Sequence, residues 1–320
     1  MLYVQFPLRV IITIEGFIGA ILNSLSLFVV FKTRFGSRST TLMLRLQPIF
    51  DMSACFLYAM YTATENGRPT KILFIDKILC YLWSNNIAFW LGVVLSVHNI
   101  VCISVDRFIA VLFPIVYKQH QLLIIVMFAI YEFCMIGLLF VPIIFFRLFI
   151  NGTCTYVTGP DGIDSNVYIA FRGYTWLIFQ YILPLITVTM CHALIVIQMK
   201  KRQRRSTKSL SVAEISHIDG LQQHVDHASN ENKRLVGLVV ITALMSSQQA
   251  ILHSYENIRY FLTMLNIVIF SYGTVGQQMG PFLILLSSCI NPCILIGTTV
   301  SLRRQFSSYV HKIWTVIRRK

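Results

Sequence analysis

Residues 80–117 read CYLWSNNIAFWLGVVLSVHNIVCISVDRFIAVLFPIVY. A cysteine opens a long apolar run, and an acid-base pair, Asp106-Arg107, closes it just ahead of Ala110, Val111, Pro114 and Tyr117. An arginine at the end of a membrane helix is costly unless a partner or a water-filled cavity receives it, and Asp106 is an adjacent partner. A pair held between mutual contact and release is a switch element, because a second conformation can offer Arg107 a different partner. The plainer alternative is an interfacial arginine that snorkels to the headgroups and does nothing more. The rest of the chain decides between them.

The 320 residues are 56% hydrophobic and 12% charged, with a mean hydropathy of +0.67. A soluble domain carries about 25% charged residues, so this is the composition of a membrane protein. Crossing a hydrocarbon core of about 30 Å takes about 20 apolar helical residues. Seven stretches qualify: 9–31, 42–64, 81–112, 121–147, 168–199, 234–258 and 274–298. The apolar piece from Tyr260 to Phe270 is short for a span and reads as the end of the sixth helix or an interfacial loop. The expectation is an all-α membrane protein, a seven-transmembrane helix bundle within residues 1–300, followed by a basic amphipathic tail over 301–320. No basic region precedes the first apolar run and no small-residue cleavage site follows it, so it is expected as a retained span.

The formal net charge of +14 does not mark a nucleic-acid partner, because the basic residues lie between apolar runs and form no single stripe. They read as topology signals. Of 27 Lys and Arg, only Arg9, Arg68, Lys71, Lys77, Arg147, Arg172 and Arg259 fall on the side of the N-terminus. The positive-inside rule therefore predicts the N-terminus outside and the C-terminus inside. The sequon Asn151-Gly152-Thr153 falls in a loop this topology places outside, which makes Asn151 the candidate glycosylation site. The segment from Lys200 to Arg234 reads as a cytoplasmic linker. In the tail, Tyr309, Val310, Ile313, Trp314 and Ile317 interleave with cations, the pattern of a helix lying on anionic lipid at the inner interface.

Polar groups deep in spans are expensive and need reasons. Asn23 sits in the first span, Asp51 in the second, Ser96 and Asn99 in the third, and Ser287, Ser288 and Asn291 in the seventh. Such a set of oxygens can hold a small hard cation, so Asp51 is a candidate Na+ ligand. Its alternative is a protonated, hydrogen-bonded packing residue. Asn291-Pro292 frees backbone carbonyls and bends the seventh helix, a plausible hinge or a static kink. Six of the eight cysteines fall inside apolar runs. Cys80 and Cys154 lie near span ends on the oxidising side of this topology, where no other cysteine is available, which predicts a disulfide between them.

Taken together, Asn23, Asp51, Cys80, Asp106-Arg107-Phe108 with Ala110, Val111 and Pro114, Pro184, Asn291-Pro292 and Leu302-Arg303 resemble, in order, the motifs of the rhodopsin-like G-protein-coupled receptors. The resemblance covers the whole chain and is that of a divergent member, as in a lineage-specific invertebrate group. Tyr131 and Glu132 stand near the place of the family's fourth-span tryptophan, and Ser247-Gln248-Gln249-Ala250-Ile251 stands about where its Cys-Trp-x-Pro signature belongs. The family's tyrosines near His192 and at Leu295 are missing. The resemblance implies a plasma-membrane receptor, not an enzyme, with no cofactor, that binds an extracellular peptide or neutral small molecule and activates a heterotrimeric G protein. Asp106, Arg107, Asn291 and Pro292 would be its switch.

The resemblance also places a ligand pocket among Phe89, Trp90 and Val93 of the third helix, Trp176 and Gln180 of the fifth, Gln249, His253 and Glu256 of the sixth, and Gln277 and Gln278 of the seventh. Phe89 stands where amine receptors of the family carry an Asp. The seventh span has no lysine for a retinal Schiff base. Amines and retinal are therefore disfavoured. The competing class, an ion- or proton-coupled transporter using Asp51, predicts internal repeats and paired broken spans, and the two halves show no repeat. An intramembrane metallohydrolase would need His-Glu-x-x-His spacing, which does not occur.

Overall fold

A computed structural model describes residues 6–33, 37–64, 72–83, 86–145, 147–150, 153–156, 165–213, 219–268, 274–299 and 302–308, together with Thr315 and Arg318. Asn151 and the tail aromatics named above lie outside the described residues. The elements in chain order are α1 (Phe6–Phe31), α2 (Arg38–Thr64), α3 (Leu73–Ile78), α4 (Ile87–Leu112), α5 (Pro114–Gln119), α6 (Gln121–Phe145), β1 (Arg147–Ile150), β2 (Thr153–Tyr156), α7 (Ser165–Trp176), α8 (Leu183–Ala213), α9 (Asp219–Met264) and α10 (Val275–Thr298). A π-helical turn over Leu177–Ile182 joins α7 to α8, so the two make one continuous rod.

Seven rods build the bundle: α1, α2, α4, α6, α7 with α8, α9 and α10. Six are long and apolar enough to cross a membrane. The exception is α2, whose average is lowered by Arg38, Arg45, Gln47, Pro48 and Asp51. It packs between α1 and α4 and turns Gln47 and Asp51 inward, so its polar residues serve the interior. Helix approach there depends on small residues. A Cβ at Gly16 would stand 2.8 Å from the Cys55 carbonyl oxygen, and one at Gly92 would stand 3.0 Å from the Ala54 backbone nitrogen.

Two helices run well past the predicted spans. Apolarity delimits 168–199 and 234–258, but α8 continues to Ala213 and α9 begins at Asp219, so most of the predicted linker is helical. Residues 200–213 contain neither Pro nor Gly, and helix propensity does not stop at a membrane surface. At its other end α9 runs to Met264, taking up half of the short apolar piece, and Asn266 follows with φ 57°. A left-handed residue just past a helix end is an ordinary stop, and Asn tolerates it.

The two ends of the bundle are distinct. At one, β1 and β2 form an antiparallel hairpin in which Phe149 faces Cys154, and the Cys154 disulfide to Cys80 ties it to the turn that precedes α4, with Cα atoms 5.4 Å apart. At the other, α4 stops at Leu112 because Phe113 precedes a proline and is barred from helical geometry. Pro114 then occupies the first turn of α5, where its missing N–H costs nothing. Residues 302–308 are also helical here, with Leu302 buried against Val29 and Val30 and with Arg303 and Arg304 exposed.

Candidate functional site

The turn at Pro114 has a consequence for the pair ten residues earlier. It folds α5 back on α4, so that the Tyr117 phenol reaches the buried Asp106-Arg107 ion pair. Arg107 Nη2 and Nε both donate to Asp106 Oδ2, the latter at 3.2 Å, and Nη2 donates to the Tyr117 oxygen at 3.0 Å. The phenol donates in turn to Asp106 Oδ1 at 2.9 Å. From the start of α2, Ser39 Oγ donates to Oδ1 at 2.7 Å and Thr40 Oγ1 to Oδ2 at 2.8 Å. Burial and the Asp106 charge push the Tyr117 phenol above its usual 10.0, so it stays a donor. A buried ion pair holds only when its remaining hydrogen-bonding capacity is filled, and α2 and α5 fill it.

A second buried cluster surrounds Asp51. Ser96 Oγ at 2.6 Å and Ser288 Oγ at 3.3 Å donate to Oδ1, while Asn291 Nδ2 at 2.9 Å and Gln47 Nε2 at 3.1 Å donate to Oδ2. Gln47 also donates to Ser96 Oγ at 2.8 Å and accepts from Asn99 Nδ2 at 2.8 Å. Beyond Asn291, Gln248 of α9 donates to its Oδ1 at 2.7 Å. Asp51 thus joins α2, α4 and α10, and α9 hangs on the same cluster through Asn291.

Ser287 and Asn23 stand apart from this cluster. The Ser287 hydroxyl is buried with no partner, because one step along α10 turns it away from the carboxylate. Asn23 does not reach Asp51 but donates to the Gly19 carbonyl at 2.9 Å and the Ser288 carbonyl at 3.0 Å, pinning α1 to α10. The residues do not fit a sodium ion as they stand. An ionised carboxylate offers about four lone-pair positions; neutral donors take all four, and two of these are amide nitrogens that would face the cation. Among the described residues no group of three or more His, Cys, Asp or Glu could hold a metal.

Of the ten residues expected in the ligand pocket, three line a cavity of about 570 Å³ enclosed by α4, the π-helical turn, α8 and α9: Gln180, Gln249 and His253. The others are consumed in packing nearer the disulfide end. Phe89 packs on Tyr58 with ring centroids 4.5 Å apart, and Val93 joins the same apolar cluster. Trp90 meets Trp176 at 5.6 Å, and Trp176 meets Tyr260 at 5.9 Å, forming an aromatic layer across α4, α7 and α9. Gln278 accepts from Tyr58 at 3.1 Å and donates to Gln277 at 2.8 Å. Glu256 lies against Gly280, where a Cβ would stand 1.8 Å from its Oε2, and 3.8 Å from Arg259.

Several participants are less visible in the sequence. Gln47 is one turn before Asp51 on the same helix, so its i, i+4 spacing was a usable signal. Ser39 and Thr40 gave none, because hydroxyls at a span edge are common. Tyr131 closes on His98 Nδ1 at 2.7 Å, so this histidine of α4 has a partner on α6.

A seven-rod bundle with a buried Asp-Arg pair at one end, a carboxylate cluster at its centre and a disulfide at the other end is the architecture of a multi-pass membrane receptor. Residues 23–295 match the family described as 7 transmembrane receptor (rhodopsin family), and the chain belongs to that family. No curated protein matches the chain.

Proposed function

We propose that the chain is a plasma-membrane receptor, N-terminus outside, that takes a peptide or neutral small-molecule ligand and activates a heterotrimeric G protein at the Arg107 end. The observation that carries this reading is the enclosure of Asp106-Arg107 by hydroxyls from two other elements, Ser39 and Thr40 of α2 and Tyr117 of α5. Such a shell holds one state and can be given up in another, and a ligand can shift that balance only by binding the two states differently. The excess of Lys and Arg on that end supports placing it in the cytoplasm. In the same orientation Asn151 is an extracellular glycosylation site.

The test is nucleotide exchange on purified Gα subunits by the receptor in nanodiscs. Asp106→Asn removes the charge that restrains Arg107 and is expected to raise basal exchange, whereas Arg107→Ala is expected to abolish it. Basal and stimulated exchange that both ignore these substitutions would overturn the coupling reading.

A further inference from the structure

The cavity between α8 and α9 is lined in part by residues exposed on the outer face of the bundle. Toward the disulfide end Trp90, Trp176 and Tyr260 pack as an aromatic layer outside the cavity lining, and α7 and α9 approach closely there: a Cβ at Gly173 would stand 2.5 Å from the Met264 Cβ. One turn below Trp176 the Tyr181 hydroxyl of the π-helical turn donates to the Ala250 carbonyl of α9 at 3.2 Å, and both residues line the cavity. Leu185, Thr189 and Val196 of α8 and Ser247 of α9 line the cavity and are also exposed on the outer face of the bundle. The mouth therefore opens to the side, where the bilayer lies.

The π-helical turn, α8 and α9 each bring a polar group without a partner to the lining. Both ends of the Gln180 amide lack a hydrogen bond, although Gln180 is only 3% exposed and lies beside His98 without closing a bond of good geometry. His253, 5% exposed, has Nε2 unpartnered, and both ring nitrogens of the half-buried His192 are unpartnered. A buried polar group without a partner is costly, and three such groups, brought to one cavity by the π-helical turn, α8 and α9, mark a site that something else completes. None of the described lining residues is Asp, Glu, Lys or Arg, so a charged head group would be buried unpaired. The volume falls within the usual range for small-molecule sites.

We infer that this cavity binds a neutral bilayer amphiphile, an aliphatic body with a hydroxyl or amide head, which enters sideways between α8 and α9 and hydrogen-bonds Gln180 and His253. The apolar walls hold the body, and the amide and imidazole supply both a donor and an acceptor for the head. This deepens the receptor reading above and rests on it for the consequence of binding, though not for binding itself. It selects the neutral small molecule over the peptide, because the lining is apolar apart from a few uncharged polar groups.

The experiment uses the full chain in nanodiscs with N-oleoylethanolamine as the neutral probe, and oleate and oleylamine as charged probes of the same chain length. A diazirine form of the neutral probe is expected to label peptides within 185–197 and 243–250, and excess unlabelled probe is expected to compete. Gln180→Leu should weaken binding about tenfold, the cost of one buried hydrogen bond. Ala193→Trp, which fills the mouth from an exposed position, should abolish labelling while leaving the thermal midpoint near that of the parent. Labelling spread evenly over the lipid-facing helices, or equal saturable binding of all three probes, would overturn the site. Site-specific labelling without any effect on nucleotide exchange would leave the site standing and count against the coupling reading; raised exchange in Asp106→Asn without labelling would do the reverse.

Discussion

Gln248 on α9 donates to Asn291 on α10 at 2.7 Å, immediately before Pro292. This amide pair ties the helix that has no kinking proline at this level to the one that does, and it hangs both on Asp51 because the Nδ2 of the same Asn291 amide donates to Asp51 Oδ2 at 2.9 Å. Any movement of α9 away from α10 has to break it. Gln248→Leu is expected to lose about 1–2 kcal/mol of resting-state stabilisation, a shift of about 5- to 30-fold toward the separated arrangement. Basal nucleotide exchange, normalised to receptor amount, should rise accordingly, and unchanged exchange would show that α9 does not move here.

Tyr117 touches both members of the ion pair, so its loss should be felt by both. Tyr117→Phe keeps the ring and removes one hydrogen bond from Arg107 and one to Asp106. Bonds to charged groups contribute about 1.5–3 kcal/mol each, but Ser39 and Thr40 still hold Asp106 and soften the loss. Higher basal exchange together with a lower thermal midpoint is the expected pair of results. A lower midpoint without higher exchange would make Tyr117 a packing residue only.

What was legible in the sequence follows from how rare each residue is in its surroundings. Asp106, Arg107 and Asp51 are charges in apolar runs, and that alone marks them; the cysteine pair was marked by its place at span ends. Tyr117 was visible, but its partner was not, because only the turn at Pro114 returns it to Arg107. Gln180 was expected at a pocket for the right helix, yet its aim comes from the π-helical turn, which no spacing rule announces. Phe89, Trp90, Val93 and Trp176 are large aromatic or apolar side chains on facing helices, and such side chains fill one another's space instead of lining the cavity. The length of α8 and α9 is not legible from apolarity, because both helices continue beyond their apolar stretches.

The close approach of α1 to α2 is testable by adding one branched side chain. Gly16→Val would put a Cβ 2.8 Å from the Cys55 carbonyl, a backbone atom that cannot step aside, and should cost about 1–3 kcal/mol. Gly137→Val, at a position on α6 with nothing within 4 Å, is the matched control and should leave the midpoint unchanged. Thermal unfolding of both variants in the same detergent checks the contrast.

Asp51 distinguishes a satisfied hydrogen-bond acceptor from a cation ligand. In Asp51→Asn the introduced amide can keep its oxygen toward Gln47 and Asn291 and turn its nitrogen toward Ser96 and Ser288, whose hydroxyls can accept as well as donate. Folding should survive with a midpoint close to the parent. Asp51→Leu strands all four donors in the bundle interior, each left with a desolvation cost of about 1–3 kcal/mol, and should not yield a stable receptor. Because the carboxylate is already filled by neutral donors, replacing sodium by choline at equal ionic strength should leave the thermal midpoint of the parent unchanged. A sodium-dependent rise that Asp51→Asn removes would mean that the amides of Gln47 and Asn291 rotate to admit the ion.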